Sequence, residues 1–143
     1  MPKLQLPFIY LLLLSTVLLQ SACGPDCAFD QSDYVGTYRI EEVCSNSQPG
    51  NYSVTIMEGA TEKEVKLFNF LDIFEDAVYA NIDCETITIP HQDPDGDKYF
   101  VEGSGVIKRE NGQITIFWNY SLSDENTTPH STKPCVATIY SKQ

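Results

Sequence analysis

From Tyr34 onward, apolar and polar residues alternate with a period of two. Tyr34, Gly36, Tyr38 and Ile40 share one face, with Thr37, Arg39 and Glu41 on the other. The alternation continues in Tyr52, Val54 and Ile56; in Val65 and Leu67; in Val78, Ala80, Ile82 and Cys84; and in Ile87 and Ile89. It returns in Tyr99, Val101, Gly103, Gly105 and Ile107, in Ile114, Ile116, Trp118, Tyr120 and Leu122, and in Cys135, Ala137 and Ile139. Successive side chains of an extended chain point to opposite faces, so these eight runs predict eight strands, each buried on one face.

Turn-forming stretches separate the runs: Ser45 to Gly50, Gly59 to Thr61, His91 to Asp97, Asn111-Gly112 and Ser123 to Pro134. Asn111-Gly112 is a strong signal for a two-residue hairpin. No long helical period occurs, and Leu71 to Asp76 is expected to form one short turn. The expected fold is therefore all-β, an eight-strand antiparallel up-and-down barrel. Closure removes the exposed edges that would invite aggregation. Gly36, Gly103 and Gly105 sit at inward positions, where glycine marks a sharp bend. An open two-sheet sandwich is the competing architecture.

A barrel of this topology constrains the cysteines. If strand one starts at the bottom, Cys44 ends it at the top, and Cys135 opens strand eight at the top beside it. Cys44–Cys135 is thus the expected crosslink across the closing seam. Cys27 precedes strand one and Cys84 ends strand four, both at the bottom, which makes Cys27–Cys84 a compatible second pair. The fifth cysteine is Cys23. Among Cys27, Cys44, Cys84 and Cys135, two cysteines separated by two residues, as in zinc sites, do not occur.

Cys23 closes a different kind of segment. The apolar run from Leu4 to Leu19 is 16 residues long, short of the ~20 needed to span a bilayer as a helix. It follows Lys3, is broken by Gln5 near its start and by Ser15 and Thr16, and ends in Gln20-Ser21-Ala22-Cys23. This is the layout of an export signal. The small residues before a cysteine resemble a bacterial lipobox, with Gln20 where such boxes usually carry an aliphatic residue. The resemblance implies cleavage before Cys23 and lipid attachment to its sulfur. Ordinary cleavage near Ala22, releasing a secreted or periplasmic protein, is the alternative. The expected organisation is a signal peptide over 1–22, a tether over 23–33 and a barrel domain over 34–143.

The domain resembles small, cysteine-anchored lipoproteins of Bacteroidota that carry a lipocalin-like β-barrel. The resemblance rests on Gly36-Thr37-Tyr38 with Cys44, on Asn69, and on Ile87-Thr88-Ile89-Pro90 with Gln92. It continues in Gly103-Ser104-Gly105 and Cys135-Val136-Ala137-Thr138-Ile139-Tyr140. It implies a barrel fold and residence in the cell envelope, at the outer membrane or cell surface. Cys27 and Cys84 lie outside the pattern.

Charge and chemistry narrow the function. Without residues 1–22 the chain has 8 basic and 20 acidic residues, a net charge of −12, which argues against nucleic acid and anionic membrane surfaces as partners. Nucleophilic catalysis lacks support: Ser104 stands in an alternating strand rather than a strand-to-helix elbow, and neither His91 nor His130 sits in a base motif. No enzyme activity and no cofactor are expected. Asp93, Asp95 and Asp97 resemble the start of a calcium loop. However, the glycine falls at the fourth position instead of the sixth, and Ser104 stands where Glu is needed, so no metal is expected. The inward Tyr38, Tyr52, Tyr99, Trp118 and Tyr120 are candidates to line a cavity for a small apolar ligand. Acidic loops at the end opposite the anchor are candidates to dock a protein partner, with the barrel interior filled. The expected function is a non-enzymatic binding module held to the lipid bilayer through Cys23 that captures a small hydrophobic ligand in the barrel, with protein docking or envelope assembly through the acidic loops as the alternative.

Overall fold

The computed structural model describes residues 27–45 and 47–140. The expected signal peptide, Cys23 and the first part of the expected tether lie outside the described residues. All eight predicted strands form: β1 (Gly36–Cys44), β2 (Gly50–Glu58), β3 (Glu64–Phe68), β4 (Val78–Asp83), β5 (Thr86–Gln92), β6 (Tyr99–Glu110), β7 (Gln113–Asp124) and β8 (Ser131–Tyr140). Each pairs antiparallel with the next, and β8 returns to β1, so the sheet closes into a barrel. The seam is in register from Arg39↔Tyr140 to Cys44↔Cys135.

The period-two pattern maps onto the wall as the pleat requires. Ile40, Val54, Ile56, Val65, Leu67, Val78, Ile87, Val101, Ile116 and Ile139 point inward and form one core. Asn111 and Gly112 both take positive φ, 52° and 81°, and turn β6 directly into β7. Gly103 lies opposite Tyr120, and a Cβ there would come within 2.4 Å of the Tyr120 Cβ. Gly105 faces Trp118 in the same way, with Trp118 Cγ 3.2 Å from where its Cβ would be. These glycines make room for two large aromatic rings packed across the strand.

Two departures from the sequence pattern matter. Tyr34 does not open β1 but ends a one-turn helix, α1 (Gln31–Tyr34), capped by Asp30. Phe29 and Tyr34 are buried, and Arg109 pairs with Asp33 and lies 5.1 Å above the Phe29 ring. Residues 27–33, expected as tether, therefore pack against the barrel, because Phe29, with Tyr34 after it, is buried at its lower end. Disulfides join Cys44 to Cys135 and Cys27 to Cys84. The second departure is at the top. The turn expected at Leu71 to Asp76 includes a 3₁₀ segment, Phe70–Asp72, that closes the upper end. Phe70, Leu71 and Phe74 are buried there.

Candidate functional site

The upper end of the barrel gathers the polar and aromatic chemistry. Three connections meet: β3–β4 (residues 69–77), β5–β6 (93–98) and β7–β8 (125–130). Hydrogen bonds tie them together. The Asp95 carboxylate accepts from the backbone of Glu75 and Asp76 at 3.2 and 2.8 Å. Asn126 Nδ2 donates to Asp97 O at 2.9 Å, and Glu125 N to Lys98 O at 3.1 Å. The Asp93 carboxylate accepts from Gly96, Asp97 and Lys98, and Asp97 accepts from Tyr99 N. The three candidate calcium ligands thus spend their oxygens on separate backbone N–H groups, which makes the segment a folded turn. Among the described residues no cluster of His, Cys, Asp or Glu has the arrangement of a metal site.

The rim acids divide into two sets. Asp93, Asp95, Asp97 and Asp124 hold the loops through backbone hydrogen bonds. Asp72, Glu75, Asp76 and Glu125 make no side-chain hydrogen bond or ion pair with any described residue; the first three are exposed and Glu125 half-exposed.

Below the rim lies a cluster centred on Glu42, which the alternation places on the inward face without revealing its partners. Glu42 continues the inward series Tyr38, Ile40, Glu42, Cys44, and its carboxylate enters the barrel between two tyrosines. Tyr52 Oη donates to Glu42 Oε2 at 3.0 Å, and Tyr120 Oη donates to the same oxygen. Leu71 N donates to Tyr52 Oη at 3.0 Å, joining the top segment to the cluster. Gly50, opposite Glu42, leaves space for it: a Cβ there would lie 2.7 Å from Glu42 Oε1. Burial, and then the Glu42 carboxylate, hold both tyrosine hydroxyls well above the ordinary phenol range.

The five candidate lining residues do come to the interior face, though not as walls of an open cavity. Tyr38 and Trp118 are 0 % exposed, as are Ile40, Ile56, Leu67, Phe70 and Ile139, which leaves no water-sized void against them. Phe70 occupies the centre, with ring centroids 5.5 Å from Trp118 and 5.3 Å from Tyr120. Tyr38 reaches down instead, donating to Tyr34 O at 2.8 Å, and Tyr99 packs at the rim 6.4 Å from Phe74. One polar atom in this interior stands out: Trp118 Nε1 is buried and has no hydrogen-bond partner among the described residues. Ser104 faces outward beside Thr88 and Asn119, and His91 is exposed, stacked on Phe100 beside Glu102. No family model matches this chain, and no curated protein is significantly similar to it.

Proposed function

We propose that the protein is an exported, lipid-anchored docking module of the bacterial envelope whose acidic rim receives a basic partner protein. The observation that carries this reading is the division of labour in the rim. Four carboxylates order the loops, and four others are left without partners among the described residues. Fixed loops with uncommitted charge suit the steering of an oppositely charged surface. The filled interior supports the same reading, because it makes the wall and rim a rigid platform.

The short reach from Cys27 to Cys23 supports this reading. Cys27 is pinned to Cys84 at the lower end, and only Gly24, Pro25 and Asp26 separate it from Cys23. That chain spans at most about 14 Å, so a lipid on Cys23 holds the lower end near the bilayer and turns the rim away from it. Two or more acyl chains on one cysteine would make the attachment durable.

The test is photo-crosslinking in the host from position 75, with position 110 at the lower end as control. Discrete adducts from position 75 are expected, lost when the remaining free rim acids Asp72, Asp76 and Glu125 are changed to their amides and weakened by high salt. Identical adducts from both positions, or adducts indifferent to the three amides, would refute rim docking. Separately, Cys23→Ala should release the protein from membranes; retention would refute lipid as the sole anchor.

A second reading, capture of a small ligand inside the barrel, is favoured by one observation: the unpartnered indole N–H of Trp118.

A further inference from the structure

We propose that the barrel contains a closed ligand site, plugged by the protein's own Phe70 and the backbone N–H of Leu71, whose ligand is a small neutral aromatic amide. The inference rests on the small-ligand reading and adds the ligand's chemical class and the gate.

Phe70 is not part of the barrel wall. It belongs to the β3–β4 connection and is inserted from above between Trp118 and Tyr120. Few polar bonds hold the segment down: Asn69 Nδ2 to Ser53 O at 2.7 Å, Leu71 N to Tyr52 Oη at 3.0 Å, and the two Asp95 bonds to Glu75 and Asp76. The closed conformation also carries backbone strain. Asn69, Leu71 and Asp72 take φ of 58°, 64° and 55°, a region that bulky side chains such as leucine avoid. Three left-handed residues within four positions, none of them glycine, mark a segment whose closed state is maintained by the burial of its side chains.

Trp118 supplies an independent pointer. A buried N–H without an acceptor is an unfavourable arrangement that folded proteins rarely keep. Phe70 packs on this indole, centroids 5.5 Å apart, with a hydrocarbon ring that has no acceptor to offer. A ligand in its place whose carbonyl oxygen reaches Nε1 would relieve the indole.

The groups that Phe70 and Leu71 now satisfy define the rest of the ligand. An aromatic ring replaces the Phe70 ring against Trp118 and Tyr120. An amide N–H replaces Leu71 N on the Tyr52 hydroxyl. Glu42, bonded to both tyrosines, sets the sign of charge the site tolerates: a neutral donor fits, and a second carboxylate is repelled. The site should therefore separate benzamide from benzoate, two molecules of nearly equal shape.

Trp118 is the only tryptophan in the chain, so its emission reports on this site alone. The full-length protein is titrated with benzamide, benzoate and toluene. Benzamide is expected to change Trp118 emission saturably, with benzoate at least tenfold weaker. Phe70→Ala, which vacates the ring position, should tighten benzamide tenfold or more. Asp72→Gly relieves the strain of the closed segment at an exposed position and should weaken benzamide several-fold. If Phe70→Ala does not fold, Asp72→Gly and the benzoate comparison decide. Equal response to benzamide and benzoate, or unchanged affinity in Asp72→Gly, overturns the proposal. A response to toluene alone overturns the amide assignment and leaves small-ligand capture standing. Response to none of the three, in the parent and in folded Phe70→Ala, overturns both.

Discussion

Removing the seam disulfide should cost more stability than removing the lower one, and the structure shows where the difference comes from. Cys44–Cys135 closes 91 residues and Cys27–Cys84 closes 57. Chain entropy assigns them ~4.6 and ~4.2 kcal/mol at 25 °C, of which roughly 2–4 is typically realised. Loop length alone therefore separates them by only about 0.4 kcal/mol. Burial adds the rest. Cys44 and Cys135 are 8 % and 2 % exposed, so alanine at both leaves space in a packed seam, whereas Cys27 is exposed. That space costs about 1 kcal/mol more. The segment held by Cys27 also has other attachments: buried Tyr34, buried Phe29 and the Asp33–Arg109 pair. The seam variant Cys44→Ala/Cys135→Ala should thus melt about 5 °C below Cys27→Ala/Cys84→Ala, and roughly 10–15 °C below the parent, for a domain of this size. Differential scanning calorimetry of the three proteins at one concentration and pH measures it. Equal melting temperatures, or the reverse order, would refute the assignment of extra stability to the buried seam.

Glu42→Ala should lower unfolding free energy by roughly 2–4 kcal/mol in urea titration, because Tyr52 and Tyr120 both lose their acceptor, whereas exposed Glu41→Ala should stay within ~0.5 kcal/mol. Gly103→Ala should cost about 1–3 kcal/mol or more, since its Cβ meets Tyr120 Cβ at 2.4 Å and Asn119 O at 2.6 Å; Gly112→Ala, open in space at φ 81°, should cost about 1 kcal/mol from backbone strain alone. Alkaline titration followed by tyrosinate absorbance should show the buried tyrosines ionising late. Burial, followed by Asp33, raises Tyr38 from the usual 10.0 to about 12, and Tyr34, Tyr52 and Tyr120 are raised further. Their folded pKa values lie above the unfolded ones, so the associated stability is complete below pH 10 and falls as pH rises from there toward 12 and beyond. Four hydroxyls titrating near pH 10 with the fold intact would contradict the buried placement.

The strands, the direction of each side chain and the Asn111-Gly112 hairpin were legible in the sequence because they are local. A period of two needs only the pleat, and a two-residue turn needs only residues that accept positive φ. Even the disulfide pairing followed, since in a closed meander the ends of first and last strands must meet. Closure itself was a choice between barrel and sandwich that the alternation could not make, because both bury one face of every strand. The tertiary structure also decided what fills the cylinder. Glu42 stood in the inward series all along, but its chemistry depends on Tyr52 and Tyr120, which lie 10 and 78 residues away. The plug was harder to read: Phe70 sits in a connection with no periodicity, and its place between Trp118 and Tyr120 is set by how the β3–β4 loop folds over the open end. The same holds at the lower end: Phe29, in the expected tether, has no strand pattern to declare it, and Tyr34, which the alternation assigns to strand one, ends a helical turn instead; both are buried because that end needs a cover. Local sequence determines the wall of such a barrel, whereas its two ends depend on packing between segments far apart in the chain.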